Sequence, residues 1–296
     1  MSWTTQNLPV ALPIYDNWRK QSFRQSYCNG NPFVALSARY DALPAIMIKG
    51  ESSTPDYVYL VNKAGTNAID VMDFMALTAD TFGSLDYVYS TSEPDVDQDA
   101  ETTEHTGWNG TTWTTTPGEN TWANFVRCGQ EYYLEIKIGS NYYYTELFTI
   151  TDFPETSTDP TDEDLCRIRI EASSTCAIDD IPPLMTQKIF IKAFTAEPEY
   201  PLDKSVSKTG SEVEKIKWAK IEKRYRIKFA AVESIADFCA LLPLFTTVNV
   251  TDQYGDSMDV NITEAPKISW GDADAGGCCA TIEIVYTRAF VQTQCC

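Results

Sequence analysis

Side chains on which many enzymes and metal sites depend are scarce in this chain. It has one histidine, His105, and no Cys-x-x-Cys pair among its nine cysteines. A zinc site or a histidine-assisted nucleophile therefore has little basis in the sequence. The acidic run at 95–99 resembles the start of a calcium loop, but Ala100 and Thr106 stand where such a loop needs Gly and Glu. We predict no catalytic, cofactor-binding or metal-binding residues, and hence a protein that is not an enzyme.

Long apolar runs and positive charge are also in short supply. No stretch approaches the roughly 18 to 20 apolar residues of a membrane-spanning helix. The N-terminal segment has neither the basic start nor the apolar core of a secretory signal. With 23 basic and 42 acidic residues, the net charge is −19, which disfavours nucleic acid because phosphate contacts need a basic surface. We expect a protein made in a cytosol, with reduced thiols and no membrane or nucleic-acid partner. Disulfides formed after release of the protein are the alternative for the thiols.

Alternation of apolar and polar residues is the strongest positive signal. Leu134, Ile136 and Ile138 alternate with Glu135 and Lys137, which predicts a strand with one buried and one wet face. A Gly-Ser-Asn turn signal follows this strand, and similar short runs recur along the chain. The pattern predicts a mainly β fold with two β-sandwich or barrel-like domains, the second carrying one short packed helix.

Composition suggests how the chain divides. Residues 1–40 are rich in proline, which limits regular structure, and are predicted to be an N-terminal arm. Residues 41–151 are predicted to form an Ig-like β-sandwich domain, in which 93–120 is a long acidic loop or hairpin. A Pro/Ser/Thr/acid-rich linker at 152–164 then leads to a second β-rich domain at 165–296.

Two segments of the chain give local predictions with an alternative. Residues 68–79 fit a helix or an irregular strand, and the strand is favoured. The apolar parity of 216–229 changes between Trp218 and Ile221, which predicts a bulge or a break.

A helix is predicted at 231–242. The residues that form its apolar stripe are Val232, Ile235, Phe238, Cys239 and Leu242.

A basic segment stands out in the acidic chain. Residues 204–228 hold nine basic and three acidic residues. One interpretation is an electrostatic seam for an acidic neighbour, such as another copy of the chain. The other is a solvated strand whose charges protect a sheet edge. The candidate interface residues, from this segment and the N-terminal arm, are Trp18, Phe23, Lys215, Lys217, Lys220, Arg224 and Arg226.

Three tryptophans form the second candidate site. Trp108, Trp113 and Trp122 lie in or next to the predicted acidic loop. Exposed indoles can stack on sugars, so these residues are candidates for glycan binding. Cross-strand aromatic pairing within a sandwich explains the same spacing and is favoured.

Several stretches resemble one family of proteins in the same order along the chain. They are LPIYDNWRKQSFRQSYCNGNPF near the N-terminus, CGQEYYLEIKIGSNYYYTELFTITDF at 128–153, EPEYPLDKSVSKTG at 197–210, AVESIADFCALLPLF at 231–245, and APKISWGDADAGGCCATIEIVY at 265–286. These motifs resemble tail or baseplate structural proteins of phages and prophages of Bacteroides-like bacteria. The acidic insert 95–122 departs from that pattern.

The resemblance implies a non-enzymatic virion protein of a phage tail. It would be a tail hub, ring or connector, or distal tail or baseplate subunit. Such a protein would assemble as a ring of identical copies, contact other tail or connector proteins, and be located in the virion. The alternative is a carbohydrate-binding module for host attachment that uses the tryptophan-rich segment 108–122.

Overall fold

The computed structural model describes residues 14–16, 26–28, 31–33, 35–38, 43–91, 101–108, 112–127, 129–151, 168–178, 181–183, 185–191, 193, 198–208, 214–231, 233–252, 254–270 and 280–288. The strands are β1 (Ile14–Asp16), β2 (Ser26–Cys28), β3 (Asn31–Phe33), β4 (Ala35–Ala38), β5 (Met47–Lys49), β6 (Tyr57–Asn62), β7 (Asn67–Asp70), β8 (Leu77–Phe82), β9 (Leu85–Ser90), β10 (Glu101–Thr106), β11 (Thr114–Thr121), β12 (Glu131–Ile138), β13 (Asn141–Thr145), β14 (Phe148–Thr151), β15 (Ile168–Ser173), β16 (Gln187–Ile191), β17 (Leu202–Lys208), β18 (Glu214–Ile221), β19 (Arg224–Ala231), β20 (Thr247–Thr251), β21 (Ser257–Ile262), β22 (Lys267–Trp270) and β23 (Ala280–Arg288). The helices are α1 (Trp122–Phe125) and α2 (Glu233–Leu241), with 3₁₀ turns at Met72–Phe74 and Leu242–Leu244.

The prediction of a mainly β fold with one short packed helix is confirmed. One long sheet runs in the order β11-β10-β7-β6-β12-β14-β4-β16-β15-β20-β21-β23-β19. Strand β13 pairs with β1 and β12, and β22 pairs with β23. A separate sheet contains β5, β9 and β8, and two hairpins, β2-β3 and β17-β18, form sheets of their own.

Strand β12 lies at the centre of the first part of the long sheet. It pairs antiparallel with β6 and with β13, and Gly139 allows the tight turn into β13 through its φ of +57°. Leu134, Ile136 and Ile138 enter the apolar core, as their alternation predicted. The opposite face is not wet as predicted, because Glu135 is fully buried.

Strands β5 and β9 of the three-stranded sheet β5-β9-β8 contribute buried side chains to two apolar clusters. Val88 of β9 belongs to the same apolar cluster as Ile136 of β12. Its neighbours Tyr87 and Tyr89 point the other way and belong to a second cluster, which also contains Ile282 of β23. Alternate side chains of one strand therefore serve two cores, and this small sheet is the middle layer between them.

The second core is closed by α2. Four residues of the predicted stripe are buried there, namely Ile235, Phe238, Cys239 and Leu242, whereas Val232 lies outside the described residues. The helix begins at Glu233 rather than 231 because Ala231 still pairs with Ala280 in the ladder between β19 and β23. The predicted packing of this helix is confirmed for those four residues.

Strands from the predicted arm and from both predicted domains pair within one sheet. β4, from the predicted N-terminal arm, pairs parallel with β14 and antiparallel with β16. β1, also from the arm, pairs with β13, and Ile14 is buried. The predicted linker 152–164 lies outside the described residues. Two domains remain a prediction, but their strands share one sheet and their side chains share one core cluster.

The local predictions have mixed outcomes. The break expected in 216–229 is present, but at Glu222 and Lys223, between β18 and β19. Residues 68–79 are not a helix, because β7, a 3₁₀ turn and β8 follow one another there.

The loop prediction for 93–120 is wrong for its described part, in which β10 and β11 form an antiparallel hairpin and β10 also pairs with β7. The hairpin alternative that the sequence left open is the observed structure.

The expectation of reduced thiols is wrong at one position. Cys176 is disulfide-bonded, whereas Cys239 is a free thiol buried under α2, and burial raises its pKa. No helix among the described residues is both long enough and apolar enough to cross a membrane.

Candidate assembly interface

The β17-β18 hairpin pairs with no third strand among the described residues. Its two strands run antiparallel from the pair Leu202 and Ile221 to the pair Lys208 and Glu214, with one register shift between Ser205 and Val206. A two-stranded ribbon in water is marginally stable alone, because it has no sheet face to bury. This hairpin and β2-β3 are therefore the elements of the described fold with the least support from neighbouring strands.

An apolar patch lies at the base of this hairpin. Leu202 and Ile221 face each other across the two strands and are 55% and 65% exposed. Tyr200, two residues before Leu202, is 61% exposed. Isolated exposed apolar residues are common, but three large ones at neighbouring positions are typical of a contact surface.

Strand β19, which directly follows the β17-β18 hairpin in the chain, forms one edge of the long sheet. Strand β19 is the last strand in the sheet order, with β23 on its inner side. On its outer side, Arg224 and Glu199 exchange two backbone hydrogen bonds of 2.8 and 2.9 Å. Beyond that bridge, no described strand covers the outer edge of β19. Unsatisfied backbone groups on such an edge are available to another chain.

The arginines predicted for the interface already have partners in their own chain. Arg224 contacts Glu222 at 3.0 Å and Glu264 at 3.1 Å. Arg226 contacts Glu283 at 2.8 Å and Glu199 at 3.3 Å. These contacts fit the edge-protecting interpretation of the basic segment, and they leave the lysines as its more available charges.

Three lysines of the segment, Lys204, Lys223 and Lys228, are exposed. The ammonium of Lys223 lies 5.0 Å from the centre of the Tyr225 ring, and its contact with that side chain raises the pKa of Lys223. Lys204 and Lys223 each lie two residues along the chain from the apolar pair Leu202 and Ile221.

The other predicted interface residues cannot be placed as side chains. Trp18 and Phe23 lie outside the described residues. Lys215, Lys217 and Lys220 lie on β18, where only the backbone is described. Arg224 and Arg226 both lie on β19. This strand directly follows β18, which carries Lys215, Lys217 and Lys220.

The tryptophan site divides into core and surface. Trp122 begins α1, is fully buried, and packs edge-on against Phe74 with ring centres 6.3 Å apart. A role for Trp122 in glycan stacking is therefore wrong for this conformation. Trp108 and Trp113 are half-buried and pack against each other at 5.7 Å.

Trp113 is hydrogen-bonded to Glu135, a residue that the sequence pattern predicted on the solvent-exposed face of β12. Its Nε1 donates a hydrogen bond of 3.0 Å to Oε1 of the buried Glu135, and the Tyr57 hydroxyl donates to the same oxygen at 3.0 Å. Burial, together with Glu135, raises the pKa of Tyr57. The signal that could have identified this cluster is the density of tyrosines in the neighbouring strands β6, β12 and β13.

His105 completes this aromatic face. Its ring stacks on Tyr59 at 4.3 Å, the side chain is 6% exposed, and neither ring nitrogen has a hydrogen-bond partner among the described residues. Burial lowers the pKa of His105, although the carboxylate of Asp70 acts in the opposite direction. The described residues contain no cluster of His, Cys, Asp and Glu that could hold a metal ion.

Comparisons with known proteins give no match. No protein-family model matches the chain, and no curated protein and no solved structure is detectably similar to it.

Proposed function

We propose that the chain is a non-enzymatic structural subunit of a phage tail. In this role it assembles with identical copies into a ring as a hub, connector, or distal tail or baseplate component. Its partners are further copies of the chain and neighbouring tail proteins, and its location is the virion.

The sequence motifs are the first support for this proposal. Five stretches distributed from the N-terminus to 286 resemble tail and baseplate proteins in the same order. Those stretches include strands β12, β13 and β17 and helix α2, all of which are structural elements. The motifs carry no catalytic chemistry, which fits a building block.

The β17-β18 hairpin is the observation that carries the proposal. It combines an uncovered two-stranded ribbon, an exposed apolar base at Tyr200, Leu202 and Ile221, and exposed Lys204. A contact with another molecule would bury the apolar base and support the ribbon. Repeated contacts between unlike surfaces close into rings when the rotation between copies permits.

The experiment is a mass measurement of the full chain across a concentration series at low ionic strength. Low salt is chosen because screening weakens contacts between exposed charges. We expect oligomers of defined size that dissociate as salt is raised. A chain that remains monomeric over the whole series would contradict the proposal.

A truncation tests the predicted contribution of the N-terminal arm. Removal of residues 1–10 spares β1, whose Ile14 is buried and whose Tyr15 hydroxyl donates to Glu146 at 2.6 Å. Removal of residues 1–24 would delete β1 and lose that core contact. We expect the shorter truncation to keep the melting temperature, so any loss of assembly can be assigned to the arm itself.

A further inference from the structure

His105, the one histidine of the chain, is buried without a hydrogen-bond partner in the described fold. Both ring nitrogens are enclosed, and neither bonds to another described residue. The ring stacks on Tyr59 of β6 with the ring centres 4.3 Å apart. Protonation would give this ring a positive charge and two N–H donors, and burying an unpaired charge is costly. The closed fold therefore favours the neutral ring.

The register of the sheet places His105 in the middle of a short contact. β10 joins β7 through three consecutive residue pairs, and the central pair is His105 with Ala68. β11 pairs with β10 and with no other strand among the described residues, so this short ladder joins the β10-β11 hairpin to the sheet. A charge on His105 would thus arise where the hairpin is attached.

We propose that His105 is a pH-sensitive latch, whose protonation releases the β10-β11 hairpin from the edge of β7 while the rest of the fold stays closed. This inference is independent of the proposed ring assembly. Release places the charged ring in water, where both N–H donors are satisfied. It also uncovers the edge of β7, whose backbone groups then become available to another chain.

Asp70 of β7 is the carboxylate that opposes release. It lies two positions from Ala68, and therefore on the same face of the sheet as His105. Burial is the larger effect and lowers the pKa of His105, whereas the charge of Asp70 raises it. Burial also raises the pKa of Asp70, so proton uptake by Asp70 favours the closed form as pH falls. Removal of this carboxylate should make the latch more sensitive to acid.

Four other carboxyl groups lie on the strands around His105, and β6 has no charged residue. They are Glu101 and Glu104 on β10, Glu119 on β11, and Glu135 on β12, which pairs opposite Tyr59. Glu104 adjoins His105 in sequence and accepts a hydrogen bond of 3.4 Å from Asn67. Glu104→Gln keeps an acceptor for Asn67 and removes the charge, which makes it the control for carboxylate titration.

Hydrogen exchange of the full-length chain, measured by mass spectrometry of its peptides, tests the latch. The rates at pH 7 and pH 5 are divided by the intrinsic exchange rates, so that opening constants are compared. We expect the opening constant of 101–108 to rise about threefold or more between pH 7 and pH 5, because the open form takes up the proton. The opening constant of β12, which is paired with β6 and β13, should stay unchanged.

Three variants assign the effect to His105. His105→Phe keeps a ring against Tyr59 but cannot be protonated, so the rise should disappear. Asp70→Asn keeps an oxygen for the Met72 backbone N–H, which donates to Asp70 at 3.0 Å, and the rise should become larger. Glu104→Gln should leave the rise as it is in the original chain.

A rise confined to the hairpin and absent from His105→Phe supports the latch. An equal rise in β12 would overturn it, because acid would then open the whole fold. No rise in 101–108, or a rise that His105→Phe retains, would also overturn it. Should His105→Phe fail to fold, Asp70→Asn decides, since a smaller rise than in the original chain contradicts the latch. None of these results bears on self-association, which the mass measurement tests separately.

Discussion

Two hairpins of this protein, β12-β13 and β17-β18, show how the same local structure can have different uses. Both are antiparallel pairs of strands that follow one another along the chain. β12 is covered by β6, β13 and the apolar core, so that Leu134 and Ile136 are fully buried. In the part of the chain that the structure describes, β17-β18 has no further strand, and Leu202 and Ile221 are exposed. The covered hairpin stabilises the fold, and the uncovered hairpin is the candidate contact with a neighbour.

The same substitution in the two hairpins should give the largest contrast. Ile136→Asp places a carboxylate in the core and should lower the free energy of unfolding by about 4 kcal/mol or more. Ile221 is exposed, so Ile221→Asp should change the free energy of unfolding by less than about 0.5 kcal/mol, while weakening self-association. Denaturant unfolding measures the first quantity and mass measurement the second. Equal destabilisation by both changes would mean that β17-β18 is covered in solution.

A smaller effect is expected on the aromatic face of β12. Trp113→Phe keeps a ring but removes the Nε1 hydrogen bond to Oε1 of Glu135. The hydrogen bond from the Tyr57 hydroxyl to the same oxygen stays in place. We expect a loss of about 1 to 2 kcal/mol in the free energy of unfolding, measured with denaturant. Trp108→Phe is the control, and a loss as large as that of Trp113→Phe would show that ring packing, not the hydrogen bond, matters.

Acid should destabilise the face that contains His105. Its pKa is lowered in the folded chain by burial, so the unfolded chain takes up the proton first as pH falls below the ordinary value of 6.5. The stabilising contribution is thus present above that pH and is lost as pH falls through the lowered pKa. The carboxylate of Asp70 on β7 acts on His105 in the opposite direction, because it raises the pKa that burial lowers.

The control for this titration is His105→Phe, which keeps a ring against Tyr59 but cannot be protonated. The melting temperature of the original chain should fall more steeply than that of His105→Phe between pH 7 and pH 5. Parallel curves would show that the pKa of His105 is the same in the folded and unfolded chains, which would contradict the prediction.

The smallest effect is expected at the outer edge of β19. Arg226 is partly exposed, and its contacts with Glu283 and Glu199 are screened by water. Arg226→Met keeps much of the apolar stem and should lower the free energy of unfolding by less than about 1 kcal/mol. A loss of several kcal/mol in a denaturant titration would mean that this edge is a buried part of the fold.

Sequence patterns predicted the covered parts of the fold better than the uncovered parts. The burial of Leu134, Ile136 and Ile138 on β12 and of four residues of the predicted helical stripe matches the predictions, because apolar periodicity reports burial. β17 was missed because it is rich in Ser and Lys and is held by backbone pairing to β18, and the hairpin of β10 and β11 was left as an alternative to a loop because both strands are rich in Thr and Glu. Pairing partners far apart in sequence leave no periodic signal.

In the candidate site, too, contacts between residues far apart in sequence were not predictable. The basic segment was visible from its charge, but Glu199, Glu264 and Glu283, which pair with its arginines, come from distant parts of the chain. Burial of Glu135 was missed because Trp113, the residue that donates to it, lies more than twenty positions away. The exposed base of β17-β18 became evident only from the position of both strands outside the larger sheets.

An image of the native assembled particle tests the central claim most directly. The account predicts that neighbouring copies touch through the β17-β18 hairpin and the outer edge of β19. Particles in which neighbouring copies touch through none of these elements, leaving Tyr200, Leu202 and Ile221 in solvent, would contradict it.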